Sequence, residues 1–575
     1  MLLLAAMALV VGTGGAVSAW VLTRLIYVVV NLAWYGRFSA LPSPIMDAAH
    51  GPKVVLIPVV GSLIVGLIAR FGSDKIRGHG IPEAIEAILY GESRLSPKVA
   101  LLKPLSSAIS IGSGGPFGAE GPIIMTGGAI GSLFAQRFRL TAAERKTLLV
   151  AGAAAGMTGI FGTPVAAILL AVEVMLFEWK PRSFVPVVLA SLTALAWRPL
   201  LIGSGPLFSM APTHGVEAAM LAIAAGLGLV AGLLAVFLSA SLYRVEDLFH
   251  RLPVHWMWWP AIGAVVVGLG GLIEPRVLGA GYNNIQDLLD GSLLLKAALL
   301  LLVVKAVVWL TALGSGTSGG ILAPLLIIGG ALGAIAGFWL PGGPGVWALL
   351  GMAGVMSAAM RAPLTAAIFA VELTGRFELL PATAASAAAA YALAVLVLKR
   401  SILTEKISRR GRHILQEYTV DPLALAQADE IMTENPVTLA EDMTIADAIR
   451  FFEKAKHRSY PVVDTRGRPV GLASRADALR WRNNADLPAD ETLREQLSDS
   501  SMPVVYPNTP AVEIANLMIA EDIGRVCVVS PKDGRVIGII ARRNLLQARA
   551  TKVREEWDRS RASADGGEAD EATAS

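Results

Sequence analysis

A glycine-rich stretch with a single carboxylate is the part of this sequence where chemistry is most expected. It reads "GSGGPFGAEGP" from Gly112 to Pro122, and Glu120 stands alone ahead of a long apolar run. A helix that begins here carries unpaired N–H groups and about half a positive charge, and glycines let a ligand approach them closely. A carboxylate at the same helix end takes the place of a bound anion when it is ionised and leaves when it is protonated, and burial favours the protonated form. Glu120 is therefore predicted to be a gate and proton acceptor; the alternative is a glutamate that only complements the helix dipole.

Two more glycine-containing breaks resemble this one. They read "GHGIPEA" from Gly78 to Ala84 and "GILAP" from Gly320 to Pro324, and each places a proline near the first turn of a predicted helix. Several such helix ends meeting at one point would hold an anion on partial charges alone. A buried Lys or Arg would hold it too tightly for release.

The elements that must position these breaks are membrane helices. Hydrophobic residues make up 54% of the 575 residues and charged residues only 16%, and apolar runs of helix-spanning length recur up to about residue 400. The net charge of +4 is small for this length and does not indicate a nucleic-acid partner, and a single cysteine excludes a disulfide framework. The sequence thus predicts an all-α polytopic membrane domain embedded in a lipid bilayer.

The membrane part contains an internal repeat. Nine of 22 residues are identical without a gap when the stretch from Gly112 is set above the stretch from Gly314, and downstream Pro164 matches Pro363 and Glu173 matches Glu372. Duplicated membrane domains, often inverted, form a site near the bilayer midplane from interrupted helices. Irregular backbone at that depth must face protein or a water-filled cavity, so the breaks are predicted to line a pathway.

The chain changes character after residue 398. A basic segment, "KRSILTEKISRRGRH", follows the last apolar run and is expected in the cytoplasm. Two copies of a strand–turn–strand–helix pattern then align at an offset of 67 residues, each after an amphipathic helix, which predicts a pair of small α/β modules. The predicted domains are a membrane domain (1–400), a basic linker (401–425), two modules (426–485 and 493–550) and a disordered polar tail (555–575).

Two other function classes, a divalent-cation transporter and an enzyme, fit the residues less well. A divalent-cation transporter needs clustered acidic side chains in the membrane, whereas acidic residues are sparse here and helix N-termini repel cations. A soluble enzyme needs a catalytic constellation, and the sequence has no P-loop, zinc cluster or Ser-His-Asp arrangement. The chain is therefore not expected to be an enzyme, and neither a metal nor an obligatory cofactor is expected.

The three breaks resemble, in order, the GSGIPE, GREGP and GxFxP motifs of the CLC family of chloride channels and chloride/proton antiporters, and "RAPLTAAIFAVELTG" from Arg361 resembles another family segment. The resemblance covers roughly residues 1 to 410, and the C-terminal pair resembles CBS domains. It implies a homodimer of two-repeat subunits with inverted halves, in the plasma (inner) membrane with the CBS pair in the cytoplasm. It also implies that chloride or another small anion is the substrate and that Glu120 is the gate. The residues expected to bind the anion are Ala119, Gly121, His79, Gly80, Ile81, Gly320, Ile321, Leu322, Ala323 and Leu403.

Four positions depart from the family pattern. His79 replaces the motif serine and is as consistent with a solvated residue as with a ligand; Leu322 replaces a phenylalanine. Leu403 stands where the pore tyrosine is expected, so that a hydroxyl donor is missing. Val174 stands where antiporters carry an internal proton glutamate, while Glu173 has a repeat mate that favours a structural role. These losses favour passive chloride conduction over the alternative, a chloride/proton antiporter, and leave fluoride or nitrate open as the anion.

One nucleotide site is expected in the CBS pair. Members of that family often bind the ribose of adenine nucleotides through a Ser or Thr and an Asp three residues later, and the first module has Ser474 and Asp477 at this spacing. The second module has Ala541 and Asn544 instead. ATP, ADP or AMP is thus a candidate regulatory ligand; the alternative is that Asp477 only caps a helix and the pair only packs a dimer.

Overall fold

The chain forms two compact units, Met1–Gln416 and Glu417–Ser575. The computed structural model describes residues 1–211, 217–398, 400–410, 423, 426–484, 487–488, 490–497, 502–548 and 550. The predicted tail and most of the second half of the predicted linker lie outside these residues.

The first unit is built of helices. The α-helices are α1 Leu2–Tyr35, α2 Ile45–Ala48, α3 Lys53–Phe71, α4 Ile81–Tyr90, α5 Pro97–Gly112, α6 Glu120–Ala135, α7 Ala142–Phe161, α8 Pro164–Leu170, α9 Pro181–Leu201, α10 Ala218–His250, α11 Trp259–Ile273, α12 Tyr282–Leu289, α13 Leu295–Gly314, α14 Leu322–Gly337, α15 Pro344–Met360, α16 Pro363–Thr374, α17 Leu380–Val397 and α18 Glu405–Arg409. Short 3₁₀ turns lie at Asp74–Ile76, Trp256–Trp258, Pro275–Val277 and Phe377–Leu379, and a π-helical segment at Ala171–Leu176 extends α8.

Seven of the described helices are long and apolar enough to cross a membrane. Only a third to a half of the residues in the apolar stretch of each of these helices are buried within the protein. Much of their apolar surface therefore faces outward, as a lipid-embedded helix requires. The shorter helices α6 and α14 are instead almost wholly enclosed, and they begin at the glycine-rich breaks. The two helices that begin at the breaks therefore lie in the interior of the unit.

The two halves repeat the same packing. Helix α6 packs along α7 in the first half as α14 packs along α15 in the second, and α8 contacts its counterpart α16 across the halves. The backbones of Gly118 and Gly320 form an antiparallel bridge, in which Gly320 N–H donates to the Gly118 carbonyl at 2.9 Å. An antiparallel bridge between equivalent residues is what a two-fold relation between the halves requires.

The second unit contains two small sheets with helices. The helices are α19 Ala428–Ile431, α20 Ile445–Lys454, α21 Arg475–Asn483, α22 Leu493–Leu497 and α23 Ala511–Ala520, and the strands are β1 Thr433–Glu434, β2 Leu439–Ala440, β3 Ser459–Val463, β4 Pro469–Ser474, β5 Val504–Val505, β6 Arg525–Val529 and β7 Val536–Ala541.

Each module carries the predicted strand–turn–strand pattern as an antiparallel hairpin. Strand β3 pairs with β4 and β6 with β7 in equivalent registers, and each hairpin gains a parallel neighbour, β2 or β5. Each module has its own apolar core beneath these strands. Cys527 is buried on β6, and burial raises the pKa of its thiol to about 12.

Candidate anion pathway and gate

The three glycine-rich breaks meet at one place in the membrane unit. Gly118 and Gly320 bridge the breaks ahead of α6 and α14, and Gly319 N–H donates to the Gly78 carbonyl at 3.4 Å, which joins the break ahead of α4. The carbonyl of His79 packs so closely on Gly121 that a Cβ there would overlap it. The predicted anion-binding residues of these breaks are all buried. Three helix N-termini therefore converge, as the sequence predicts.

Glu120 is the first residue of α6 and is fully buried. Its carboxyl group fills the space between the two bridging glycines: a Cβ on Gly118 would overlap it, and one on Gly320 would lie 2.7 Å from Oε2. The N–H groups of Glu120 itself and of Ala323, on the first turn of α14, interact with the carboxyl group, while Oε2 lacks a hydrogen bond of standard geometry. The carboxylate thus lies at the helix ends of both halves, where an anion would be bound.

Tyr282 is a contact of Glu120 that the sequence did not indicate. Its hydroxyl group lies 3.5 Å from Glu120 Oε1 and 3.4 Å from the N–H of Ala119. The ring packs edge-on against Phe161, with ring centroids 6.4 Å apart, and tilted against Phe208. Tyr282 and Ala119 also line a cavity of about 680 Å³ that continues away from the carboxyl group.

His79 lies in a buried cluster of charged side chains on the other side of Gly121. Glu83, four residues on in α4, accepts a hydrogen bond from Lys406 Nζ at 2.9 Å, and Arg410 lies 3.5 Å from the same oxygen. The charges of Glu83, Lys406 and Lys103 all act on the His79 ring, whose Nδ1 atom has no hydrogen-bond partner. His79 is thus buried, and the solvated alternative does not describe it.

Two buried lysines hold the break loops. Lys103 Nζ donates to the carbonyls of Ile76 and Gly78 at 2.8 and 2.6 Å and to Ser318 Oγ at 3.0 Å. Its repeat mate, Lys305, donates to the carbonyls of Val277 and Gly279 at 2.9 and 3.1 Å. The sequence does contain a sign of this shared role, because the ungapped alignment of the two halves extends upstream and pairs Lys103 with Lys305. A lone lysine in an apolar helix is, however, usually interpreted as extending its ammonium group to water.

Glu173 and its mate Glu372 have the shared structural role that their positions predict. Glu173 accepts hydrogen bonds from the N–H groups of Leu364 and Thr365 at the start of α16, and Glu372 accepts from those of Val165 and Ala166 at the start of α8. Val174 is buried and offers no titratable group.

Leu403 is buried in the loop that precedes α18, a helix of five residues rather than a further spanning helix. Ile402 anchors this loop, since its N–H donates to the Ala359 carbonyl at 3.1 Å and its carbonyl accepts from the Tyr243 hydroxyl at 2.6 Å. Leu403 is not among the contacts that join the three breaks. Tyr391 lies within α17, as its spacing predicts.

Comparison with known proteins identifies the membrane unit. A family model described as voltage gated chloride channel matches residues 60–395. The chain belongs to this family. The CLC chain is 32% identical over 351 residues to the voltage-gated ClC-type chloride channel ClcB of Salmonella typhimurium (59% of this chain, 84% of the relative). It is also 32% identical over 338 residues to ClcB of Escherichia coli O81 (57% and 80%).

Solved structures with the same fold match a larger share of the chain than these relatives do. A slow cyanobacterial Cl⁻/H⁺ antiporter matches with a TM-score of 0.63 at 23% identity, covering 71% of this chain and 97% of that one. A eukaryotic CLC transporter matches with a TM-score of 0.59 at 20% identity and covers 94% and 97%, and a CLC-type fluoride/proton antiporter gives 0.58 at 22% identity and covers 68% and 94%. The CBS domain model matches residues 428–484 and 494–551, so this CLC protein carries a C-terminal CBS pair.

In the first CBS module, Ser474 and Asp477 bond to each other. Asp477 Oδ2 accepts from the N–H of Ser474 at 2.9 Å, and the N–H of Asp477 donates to Ser474 Oγ at 3.2 Å, a capping box at the start of α21. In the second module Asn544 Oδ1 accepts from Ala541 N–H at 2.9 Å. The structure thus gives Asp477 the capping role that was the alternative to nucleotide binding; a capping pair does not exclude a ligand.

Proposed function

We propose that this protein exchanges chloride for protons across a membrane, with Glu120 as the group that both ions use. The supporting observation is the placement of a single buried carboxyl group at the helix N-termini of both halves. An ionised carboxylate there excludes chloride, and a protonated one no longer competes for the N–H groups. The anion and the proton therefore act on the same position, which is the minimum that exchange requires.

The anion ligands in this proposal are backbone groups of the three breaks. The proposed donors are the N–H groups of Ala119, Gly121, Ile321, Leu322 and Ala323, of which that of Ala323 already interacts with the Glu120 carboxyl group. On the inner side, His79, Gly80 and Ile81 line the entry, and the glycine Gly320 allows the anion close to the backbone. Leu403, the remaining residue expected at the site, has an apolar side chain and would offer the anion no hydroxyl donor.

Two structural neighbours support exchange, since the fold is shared with a Cl⁻/H⁺ antiporter and a fluoride/proton antiporter. The missing carboxyl group at Val174 does not leave the inner side without titratable groups. His79 and Glu83 are buried at the break ahead of α4, with Lys103 and Lys406 beside them. We propose that a proton reaches Glu120 from this cluster.

Passive chloride conduction is the second candidate. Val174 in place of a carboxyl group favours it, as does the name of the curated relatives, a voltage-gated ClC-type chloride channel. In that case Glu120 is only a gate, and protonation opens the pathway without moving protons across it.

Liposomes separate the two candidates. The purified protein is reconstituted with a chloride gradient and no proton gradient, and chloride efflux and internal pH are recorded together. Exchange drives protons uphill in a fixed ratio to chloride, and an uncoupling ionophore collapses the pH change. Chloride efflux with no uphill proton movement would establish conduction instead, and absence of both fluxes would reject both candidates. Repeating the efflux with fluoride and nitrate identifies the preferred anion.

The setting of this function is part of the proposal. We place the protein as a homodimer in the plasma (inner) membrane, with the CBS pair in the cytoplasm as a regulatory unit that binds ATP, ADP or AMP through Ser474 and Asp477. The basic residues after α17 support this orientation.

A further inference from the structure

The loop ahead of α12 repeats the architecture of the loop ahead of α4. Gly279 and Gly281 adopt positive φ angles, as do Gly78 and Gly80 in the first half, and each loop has two carbonyls held by one buried lysine. In this correspondence Tyr282 takes the place of Ile81, the first residue of its helix. The second half therefore delivers a side chain with a hydroxyl group where the first half delivers an apolar one.

The Tyr282 hydroxyl group contacts both the Glu120 carboxyl group and the backbone beside it. It is 3.5 Å from Glu120 Oε1, for which it is the donor, and it accepts from the Ala119 N–H at 3.4 Å. The aromatic packing of Phe161 and Phe208 and the lysine-held loop fix the ring in this direction. The Tyr282 hydroxyl group thus has one partner on the gate, Glu120, and one on the backbone proposed to bind the anion, Ala119.

We propose that Tyr282 supplies the pore hydroxyl group that Leu403 cannot. In the closed state it donates to the Glu120 carboxylate, and when the carboxylate leaves it donates to the chloride that takes its place. This inference rests on the proposed role of Glu120 but holds for exchange and for conduction alike, because both require the carboxylate to leave.

Other charged groups packed around Glu120 are turned elsewhere. The ammonium groups of Lys103 and Lys305 bond to loop carbonyls, and the ring of His79 lies with Glu83 and Lys406 beyond Gly121. Among the described residues, Tyr282 is the titratable side chain with a polar atom on the Glu120 carboxyl group, and Tyr27 is close enough to act on Tyr282 itself. Removal of the Tyr282 hydroxyl group therefore changes the environment of the carboxylate directly and also removes the acceptor of the Ala119 N–H.

The test is Tyr282→Phe, which keeps the ring and its packing. Loss of a donor to the ionised form lets the carboxyl group take up its proton at higher pH. We expect the pH of half-maximal chloride efflux to rise by about one unit, the effect of one hydrogen bond to a charged group. In the Glu120→Gln background, which mimics the protonated gate, we expect Tyr282→Phe to weaken chloride binding about tenfold by calorimetry.

Tyr35→Phe is the matched control, since it removes a tyrosine hydroxyl that bonds to the Pro44 carbonyl instead. It should leave both the pH of half-maximal efflux and chloride affinity as in the wild type. If Tyr282→Phe does the same, the proposal is overturned. A shift in pH alone would show that Tyr282 serves only the gate and that the proposed contact with chloride is wrong. Absence of chloride flux in the wild type would instead reject the function on which the proposal rests.

Discussion

Glu173 and Glu372 cap helices in each other's halves of the membrane unit. The carboxylate of Glu173 accepts from Thr365 N–H at 2.8 Å, and that of Glu372 accepts from Ala166 N–H at the same distance. The two contacts are equivalent in the repeat. Glu173 is adjacent to Val174, the position of the expected proton glutamate, but Glu372 has the same contact in the other half and is not adjacent to such a position. A proton pathway therefore does not explain the pair. Each carboxylate complements the positive end of a helix that begins with a proline.

Glu173→Gln and Glu372→Gln are therefore expected to behave alike. Each substitution removes a charge from a helix N-terminus and should lower stability by about 1 kcal/mol, measured as a small loss of thermal stability in detergent. The ratio of protons to chloride should be the same as in the wild type. If Glu173→Gln abolishes proton movement while Glu372→Gln does not, Glu173 is a proton carrier and the structural role is insufficient.

Replacement of the gate carboxyl group should separate the two ions. In Glu120→Ala (E120A) nothing competes with chloride at the helix ends, so chloride efflux should rise and lose its dependence on pH, and uphill proton movement should stop. Asp287→Asn, which neutralises a carboxylate lining the neighbouring cavity, is the control and should keep the pH dependence. Unchanged efflux in Glu120→Ala would remove this residue from the gate.

A single methyl group should open the gate mechanically. A Cβ on Gly118 would overlap the Glu120 carboxyl group, so Gly118→Ala should displace the carboxylate and raise chloride efflux at neutral pH severalfold. Gly226→Ala, in α10, is the matched control because a Cβ there meets no atom within 4 Å. A folded Gly118→Ala protein with wild-type efflux and pH dependence would contradict the position assigned to the carboxylate.

Nucleotide binding to the CBS pair is tested by separating the ligand contact from the helix cap. Asp477→Ala removes both the carboxylate and the capping box, and should weaken any binding of ATP, ADP or AMP measured by calorimetry. Asp477→Asn keeps an oxygen for the cap, much as Asn544 does in the second module, and should lose nucleotide affinity with little loss of stability. No binding to the wild-type protein would leave Asp477 with its capping role alone.

The sequence predicts what is encoded by local composition and by the repeat. The breaks, the convergence of three helix ends and the place of Glu120 at one of those ends follow from glycines, prolines and one carboxylate in an apolar run, whereas the gate role of Glu120 stays a prediction. Tyr282 could not be found this way, because its contact with Glu120 joins residues 162 positions apart and its repeat mate, Ile81, carries no hydroxyl group. The repeat preserves the backbone frame of that loop but not the side chain that acts there.

The backbone bridge between Gly118 and Gly320 fixes how far the halves can move. Many duplicated transporters work by rocking one repeat against the other around a central site. Such a motion here would break the hydrogen bonds between the backbones of Gly118 and Gly320, which lie beside the Glu120 carboxyl group. In the proposed mechanism the pathway opens by rotation of the Glu120 side chain within a stationary frame, so that turnover would demand little rearrangement of the surrounding lipid.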